Sequence, residues 1–220
     1  MSTSKKLVLF LSLVAFATVG RVIGDNGDKT TLDYYWGKAR VVTQQADPNR
    51  AGIAYSFTAR SYYRTTNDEG TTVRLDSLVA RYFYSSGKLD SQVTLAGDKA
   101  RFSRLDLSVP DVFRADLHLN FFPNDTGGPR MAIGFAADSA VNGLSDGLVV
   151  LDRYTYRPLT MYLFYRNYAD YKRYTRSLRM VDVDEWLFPD SIWVVATRNG
   201  IFAPESYRLE TGISDVNVGP

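Results

Sequence analysis

The 220-residue sequence contains no cysteine and only one histidine, His118. The absence of cysteine excludes disulfide bonds, thiolate metal sites and cysteine nucleophiles. A histidine-rich metal site or a Ser-His-Asp triad would have to depend on His118 alone. This residue alternates with Leu117 and Leu119, which is more typical of a structural histidine on a sheet face than of a catalytic one.

The sequence also lacks the short motifs that mark common enzyme classes. It contains no P-loop, no GxGxxG, no HExxH and no GxSxG. Asp182, Asp184 and Glu185 lie close together, but the glycine and the distal glutamate of an EF-hand loop are missing. These acids therefore indicate a solvated turn. We expect a protein that is not an enzyme and that carries no cofactor and no metal.

Long hydrophobic runs are scarce, and the clearest one is at the N-terminus. Leu7–Val19 is uncharged and mostly apolar, and it follows Lys5 and Lys6. Ala15 and Ala17 form a small-x-small cleavage pattern. The run is shorter than the roughly 20 residues that a membrane-spanning helix needs. The pattern predicts a cleaved secretory signal peptide over residues 1–24.

Cleavage would leave residues 25–220 as a single domain with little net charge. Three of the 26 basic residues and none of the 24 acidic residues lie in the removed segment, so the remaining net charge is −1. This balance gives no electrostatic support for nucleic-acid binding. No cysteine is present to carry a lipid anchor. We expect a periplasmic or secreted protein with no nucleic-acid partner and no stable membrane span after cleavage.

Aromatic residues are plentiful, with 15 tyrosines and 12 phenylalanines, which favours β structure. Alternation of apolar and polar residues predicts about ten strands between residues 53 and 216, including RFSRLDLS at 101–108. A short helical turn is expected through Val112 and Phe113. No βαβ rhythm and no tandem repeat are evident. The fold is therefore expected to be mainly antiparallel β.

One substantial helix is predicted, from Leu32 to Ala46. Thr30 or Thr31 can cap it, and Asp47-Pro48-Asn49 ends it. Its apolar stripe includes Tyr35, Trp36 and Ala39. The predicted architecture is an α+β fold with a strongly curved antiparallel sheet and this N-terminal helix packed on one face.

Two aromatic stretches raise alternatives. FYRNYADYKRYTR (164–176) could suit nucleic acid, but alternate residues of a strand lie on opposite faces, and a solvated outer sheet face is favoured. WLFPDSIWV (186–194) carries two of the three tryptophans. We expect Pro189 to mark a turn, Trp186 and Phe188 to close the edge of the core, and Trp193 to lie on the inward face of a strand.

Three stretches resemble the C-terminal half of LolA-like outer-membrane lipoprotein-sorting proteins: GLVVLDRYTYRPLTMYLFY, RSLRMVDVDEWLFPDSIWV and YRLETGISDVNVG. The matching positions are Leu148 to Asp152, Pro158-Leu159, Trp186 to Ile192 and Ile213 to Val218. The N-terminal helix followed by YSFTAR also resembles the opening of that family. The resemblance spans most of residues 30–218.

This resemblance implies an unclosed β-barrel, or half-barrel, with an apolar cavity between its concave face and the helix. It implies a periplasmic non-enzymatic binding protein whose partners are lipid or the acyl chains of lipoproteins. An apolar cavity would bind such chains without any catalytic group. The candidate cavity residues are Leu32, Tyr35, Trp36, Tyr55, Phe57, Tyr82, Ile133, Phe135, Met161, Leu163 and Trp193.

The alternative is a structural or protein-interaction component of the cell envelope, with a filled core and no ligand. Its exposed face of tyrosines and arginines would contact other envelope proteins. The choice between the two hypotheses depends on whether the sheet and the helix leave a cavity.

Overall fold

The computed structural model describes residues 29–67, 69–102, 105–114, 116–121, 128–141, 143–166, 171–198 and 206–219. The predicted signal peptide lies outside the described residues. Within the described ranges, no helix combines the length and apolarity required to cross a membrane.

The described residues form one α-helix, one short 3-10 helix and ten strands. The helix α1 spans Lys29–Gln45, and the 3-10 helix spans Lys99–Phe102. The strands are β1 (Tyr55–Thr66), β2 (Thr72–Ser85), β3 (Lys88–Gly97), β4 (Leu117–Phe121), β5 (Arg130–Val141), β6 (Leu144–Asp152), β7 (Pro158–Tyr165), β8 (Tyr171–Val183), β9 (Trp186–Arg198) and β10 (Ser206–Val218).

Helix α1 follows the predicted apolar stripe. Leu32, Trp36 and Ala39 recur at spacings of four and three residues, and all three are buried. The helix begins three residues before the predicted start and ends one residue before the predicted end. The Asp47 carboxylate accepts a hydrogen bond from the Asn49 backbone N–H at 2.9 Å in the turn that follows.

All ten strands belong to one antiparallel sheet in the order β3-β2-β1-β10-β9-β8-β7-β6-β5-β4. The pairing of β1 with β10 joins the beginning and the end of the strand series. Strands β3 and β4 are the two edges, so the curled sheet is not closed. The predicted half-barrel with an N-terminal helix is therefore confirmed.

Directly paired residues of neighbouring strands lie on the same face of the sheet. One such row runs from Phe135 through Gly147, Leu163 and Arg176 to Val194. The buried members of this row define the concave face, which α1 covers. Alternation along each strand sends the intervening residues to the convex face.

The turn predicted at Pro189 was wrong. The β8–β9 turn is formed by Asp184 and Glu185, which both have positive φ, of 48° and 72°, as a two-residue hairpin of primed type requires. Pro189 lies inside β9, opposite Met180, where the register with β8 shifts. Proline is accommodated there because a bulge interrupts the ladder of hydrogen bonds. The acids at 182–185 do form a turn region, as predicted.

The chain between β3 and β4 was also predicted incorrectly. Residues 105–108 are irregular rather than extended in a strand, and residues 112–113 form no helical turn. Because β3 and β4 are opposite edges of the sheet, this connection has to travel from one edge to the other. We call residues 105–114 the crossing segment.

Strand β3 differs from the other strands in its exposure. Nearly all its residues are exposed, including Leu89, Val93 and Leu95. It pairs only with β2, and the pairing contains two register shifts. Neither α1 nor the crossing segment buries this edge of the half-barrel.

Candidate functional site

The crossing segment lies on the concave face. Leu107, Val112 and Phe113 are buried in the same core as α1. The Phe113 ring is 4.8 Å from the Trp36 ring, and the Trp36 indole N–H donates a hydrogen bond of 3.0 Å to the Arg114 carbonyl. The cover of the half-barrel therefore consists of α1 together with the crossing segment.

Trp36 connects this cover to the sheet, since its ring is also 5.7 Å from the Phe135 ring of β5. Ten of the eleven predicted cavity residues face this core. Nine of them are buried, namely Leu32, Trp36, Tyr55, Phe57, Tyr82, Ile133, Phe135, Met161 and Leu163. Tyr35 is half-buried at one end of the cover, against Tyr34 and Tyr156.

The concave face is closely packed. Ile133, Met161 and Leu163 each have 0% of their surface accessible. A cavity open to a molecule the size of water would leave part of such a wall accessible. These three residues are therefore in contact with protein on all sides in this conformation.

The inward orientation predicted for Trp193 was wrong. Its neighbours Ile192 and Val194 are buried, whereas Trp193 is 38% exposed. It pairs with Ser177 of β8 and Glu210 of β10 on the convex face. Residues 192–196 alternate regularly, so the prediction assigned the wrong one of the two faces of this strand as inward, and a choice that is off by one residue moves a side chain to the opposite face.

A first aromatic cluster, Tyr55, Phe57, Tyr82, Tyr84 and Phe188, fills the part of the concave face near β1 and β2. The rings of Tyr55 and Tyr84 stack at 4.9 Å, and those of Phe57 and Tyr82 at 5.5 Å. Burial, together with the neighbouring Tyr84, raises the pKa of Tyr82 to about 12. Burial also raises the pKa of Tyr84, as does the nearby carboxylate of Asp106. Sequence analysis identified three members of this cluster.

A second cluster of tyrosines, Tyr63, Tyr165, Tyr171, Tyr174 and Tyr207, occupies the opposite end of the concave face. Its ring centroids are 5.2–5.7 Å apart along the chain of contacts. Burial raises the pKa of Tyr207, and its hydrogen bond with Tyr171 raises it further. Phe102, just before the crossing segment, contacts Tyr63 at 6.3 Å.

The solvated outer face predicted for residues 164–176 was therefore wrong for four of its residues. Tyr171, Tyr174 and Arg176 are buried on the concave face, and Tyr165 packs there against Tyr174. The register between β8 and β9 shifts after Tyr171, so alternation counted along the sequence fails between Tyr171 and Tyr174. Tyr168, in the same stretch, lies outside the described residues.

Arg176 is a buried cation that sequence analysis did not identify. Its side chain is 2% exposed, and it pairs in register with Leu163 and Val194. Its guanidinium donates hydrogen bonds to Asp106 Oδ2 at 3.1 Å, to the Asp106 carbonyl at 3.0 Å and to the Ser108 carbonyl. The available signal in the sequence was that Arg176 alternates with Tyr174 and Leu178, which are both buried.

Asp106 is in turn held by Ser108. Asp106 Oδ1 accepts a hydrogen bond from the Ser108 N–H at 2.9 Å and another from the Ser108 hydroxyl at 2.7 Å. The turn thus presents three oxygen atoms to Arg176. This contact fixes the crossing segment to the centre of the sheet through side chains. The backbone hydrogen bonds described for the segment are local, from Leu105 to Phe102 and from Arg114 to Val112.

No group of three or more His, Asp or Glu side chains in the described ranges could hold a metal ion. His118 lies on the sheet surface, where its Nε2 is 2.9 Å from Asp138 Oδ1, and both side chains are largely exposed. At the centre of the concave face, the charge of Arg176 is paired with Asp106, and its neighbours Leu163 and Val194 are apolar and buried.

No protein-family model matches the chain. No curated protein matches it at the sequence level. Similar solved structures include a LolA superfamily protein from Nitrosomonas europaea, with 12% identity and a TM-score of 0.37 over 86% of this chain and 94% of that chain. An outer membrane lipoprotein-sorting protein domain from Vibrio parahaemolyticus has 13% identity and a TM-score of 0.39 over 83% and 93% of the two chains.

The MucA/MucB complex of Pseudomonas aeruginosa shows a weaker similarity, with 8% identity and a TM-score of 0.29 over 86% of this chain and 99% of that chain. The first two of these structures carry the names of the group that the sequence motifs of this chain resemble.

Proposed function

We propose that this protein is an exported, non-enzymatic binding protein that holds lipid or the acyl chains of lipoproteins. The ligand would lie between the concave face of the sheet and the cover formed by α1 and the crossing segment. Residues 1–24 would direct export to the periplasm or the medium and then be removed. N-terminal sequencing of the exported protein tests this last point, with a first residue near Asp25 expected.

One observation carries the proposal. The centre of a mainly apolar sheet face is covered by an irregular segment whose contacts with the sheet are made by side chains, as at Arg176 and Asp106. Such a segment can move without breaking a ladder of backbone hydrogen bonds. Its apolar side chains Leu107, Val112 and Phe113 occupy the position that an acyl chain would take.

The energetics of this exchange are favourable in principle. Displacing the crossing segment removes apolar contacts from the concave face, and an acyl chain restores them. Each buried methylene contributes roughly 0.8 kcal/mol. A long acyl chain can therefore compensate for the three displaced side chains, and a short one cannot. We expect affinity to rise with chain length.

The fluorescence of Trp36 provides a direct test of ligand binding. The chain has only three tryptophans, so two substitutions leave Trp36 as the single one. A variant with Trp186→Phe and Trp193→Phe retains Trp36 as its single tryptophan, in contact with Phe113. Addition of laurate to the lipid-extracted variant is expected to change the Trp36 emission as Phe113 moves away. The matched control is Trp36→Phe, which lacks the ring that contacts Phe113 and keeps the two tryptophans of β9, so its emission should respond less.

Native mass spectrometry of the purified protein provides an independent measurement. A co-purifying lipid, removed by extraction and regained on incubation, is the expected result. If the extracted protein takes up neither laurate nor a diacylated lipopeptide, the proposal is wrong.

A second candidate is a structural or protein-interaction component of the cell envelope with a filled core. The complete burial of Met161 and Leu163 favours it, because no space for a ligand reaches them in this conformation. This alternative predicts no uptake of any amphiphile and unchanged Trp36 emission. The same experiments therefore separate the two functions.

A further inference from the structure

Arg176 places a positive charge in an apolar part of the sheet. Its partners in the neighbouring strands, Leu163 and Val194, are both buried, and so is Leu178 two residues further along β8. Removing a guanidinium from water is costly unless an anion and hydrogen-bond acceptors compensate for the lost hydration. The concave face is therefore stable only while an acceptor group occupies the position facing Arg176.

The crossing segment supplies this group. The carboxylate of Asp106 is 3.1 Å from Arg176, and two carbonyls of the same turn accept two further hydrogen bonds from its guanidinium. The Asp106 side chain is 47% exposed, whereas that of Arg176 is 2% exposed. The cation is thus fixed in the sheet, while its counter-ion belongs to the removable cover.

This asymmetry has a consequence for ligand selection. A neutral chain that displaced the crossing segment would leave Arg176 buried without a counter-ion, which is strongly unfavourable. An anionic head group would replace the Asp106 carboxylate and restore the pair. Arg176 Nε is buried and has no hydrogen-bond partner among the described residues. A carboxylate or phosphate can engage a guanidinium through two oxygen atoms, so it could satisfy this donor as well.

Resting on the function proposed above, we propose that Arg176 is a head-group site and that the ligand is an amphiphile with an anionic head group. The head group, a carboxylate or a phosphate monoester, replaces the Asp106 carboxylate on Arg176. The acyl chain then takes the place of Leu107, Val112 and Phe113.

Three amphiphiles of equal chain length test this assignment: laurate, dodecyl phosphate and dodecanol. Calorimetric titration of the lipid-extracted protein is expected to give an affinity for the anions about tenfold or more above that for dodecanol, as a charge-assisted bidentate pair requires. The order of laurate and dodecyl phosphate identifies which head group the site prefers.

Arg176→Met keeps most of the side-chain volume and removes the charge. In this variant the preference for laurate over dodecanol is expected to fall to about one. Arg176→Lys keeps the charge and should retain part of the preference. Asp106→Asn removes the competing carboxylate and should strengthen laurate binding several-fold. The matched control is Asp190→Asn, which removes the carboxylate of the surface pair with Arg179 and should leave the affinity unchanged.

Equal affinities for laurate and dodecanol in the unaltered protein would overturn the head-group assignment and leave lipid binding itself intact. A preference that persists in Arg176→Met would do the same. Near-ultraviolet circular dichroism shows whether Arg176→Met folds. If it does not fold, the Asp106→Asn variant tests the assignment instead. An unchanged affinity of Asp106→Asn for laurate would overturn the head-group assignment. Failure of all three amphiphiles and of a diacylated lipopeptide to bind would instead contradict the proposed function.

Discussion

Gly147 shows how closely single residues are constrained on the concave face. It lies beneath the ring of Phe135, its partner in β5. A Cβ atom at this position would be 2.6 Å from Phe135 Cζ and 2.5 Å from the Tyr162 carbonyl oxygen. Gly37 in α1 is the opposite case, because a Cβ there would meet no atom within 4 Å. Close packing therefore requires glycine at position 147 and does not require it at position 37.

Substitution by alanine distinguishes these two glycines. Gly147→Ala is expected to lower the free energy of unfolding by about 1–3 kcal/mol, because the packed ring and backbone have to shift. Gly37→Ala is expected to raise it by about 0.5–1 kcal/mol, since alanine loses less backbone entropy in a helix. Urea denaturation of both variants measures the difference. Equal effects of the two substitutions would contradict the described packing of Phe135 on Gly147.

The tryptophans offer a second comparison at this scale. Trp36→Ala removes a buried ring that contacts both Phe113 and Phe135, and it is expected to cost about 3–5 kcal/mol of stability. Trp193→Ala removes a partly exposed ring from the convex face and is expected to cost about 1 kcal/mol or less. Thermal or chemical denaturation gives both values. A larger loss of stability from Trp193→Ala than from Trp36→Ala would contradict the position of Trp193 on the convex face of β9.

At the scale of elements, the two edge strands of the half-barrel differ. Helix α1 contacts β4, whereas β3 exposes both of its faces to solvent. A strand with few buried side chains and one hydrogen-bonded neighbour opens more easily than a central strand does. The local stability of the sheet should therefore decrease from β8 and β9 towards β3.

Hydrogen exchange tests this gradient. Backbone amides of residues 88–97 in β3 are expected to exchange much faster than those of residues 187–196 in β9, which has neighbours on both sides. Mass spectrometry of peptides from the exchanged protein gives the rates. Strand β4 is the control, because it is also an edge but lies against α1. Equal protection of β3 and β9 would indicate a partner that covers β3.

For the whole molecule, the two aromatic clusters link stability to pH. Burial raises the pKa of Tyr82 to about 12, from an ordinary value of 10.0. The pKa of Tyr55 and that of Tyr207 are also raised, first of all by burial. In the unfolded chain these phenols ionise near pH 10, whereas in the folded protein they remain neutral to higher pH. The unfolded state therefore gains from ionisation before the folded state does.

Stability is accordingly expected to be retained below pH 10 and to decline as the pH rises from 10 through 12. Urea unfolding across this range, together with tyrosinate absorbance, measures the decline. Tyr82→Phe removes one ionisable group and should make the decline shallower. If stability declines with pH equally steeply in Tyr82→Phe and in the unaltered protein, the pKa of Tyr82 is the same in the folded and the unfolded state.

The sequence by itself determined the main features of the architecture. The 3.6-residue stripe of α1 and the period-two alternation of the strands are local signals, and each follows from which side chains have to be buried. The helix, the antiparallel class, the ten strands and most of the inward-facing residues could be predicted for this reason. The resemblance to LolA-like proteins depended on the same local segments.

Only the tertiary structure decided the features that depend on register and on long-range contacts. The shift after Tyr171 leaves Tyr171 and Tyr174 both buried although they are three residues apart, which does not follow from counting along a strand. Alternation does show that Arg176 shares a face with Tyr174 and Leu178, and that Trp193 lies opposite Ile192 and Val194. Which of the two faces of β8 and β9 is concave was decided by the packing of the sheet against α1 and the crossing segment. The pairing of Arg176 with Asp106, 70 residues apart, exists because opposite sheet edges require a connection across the concave face.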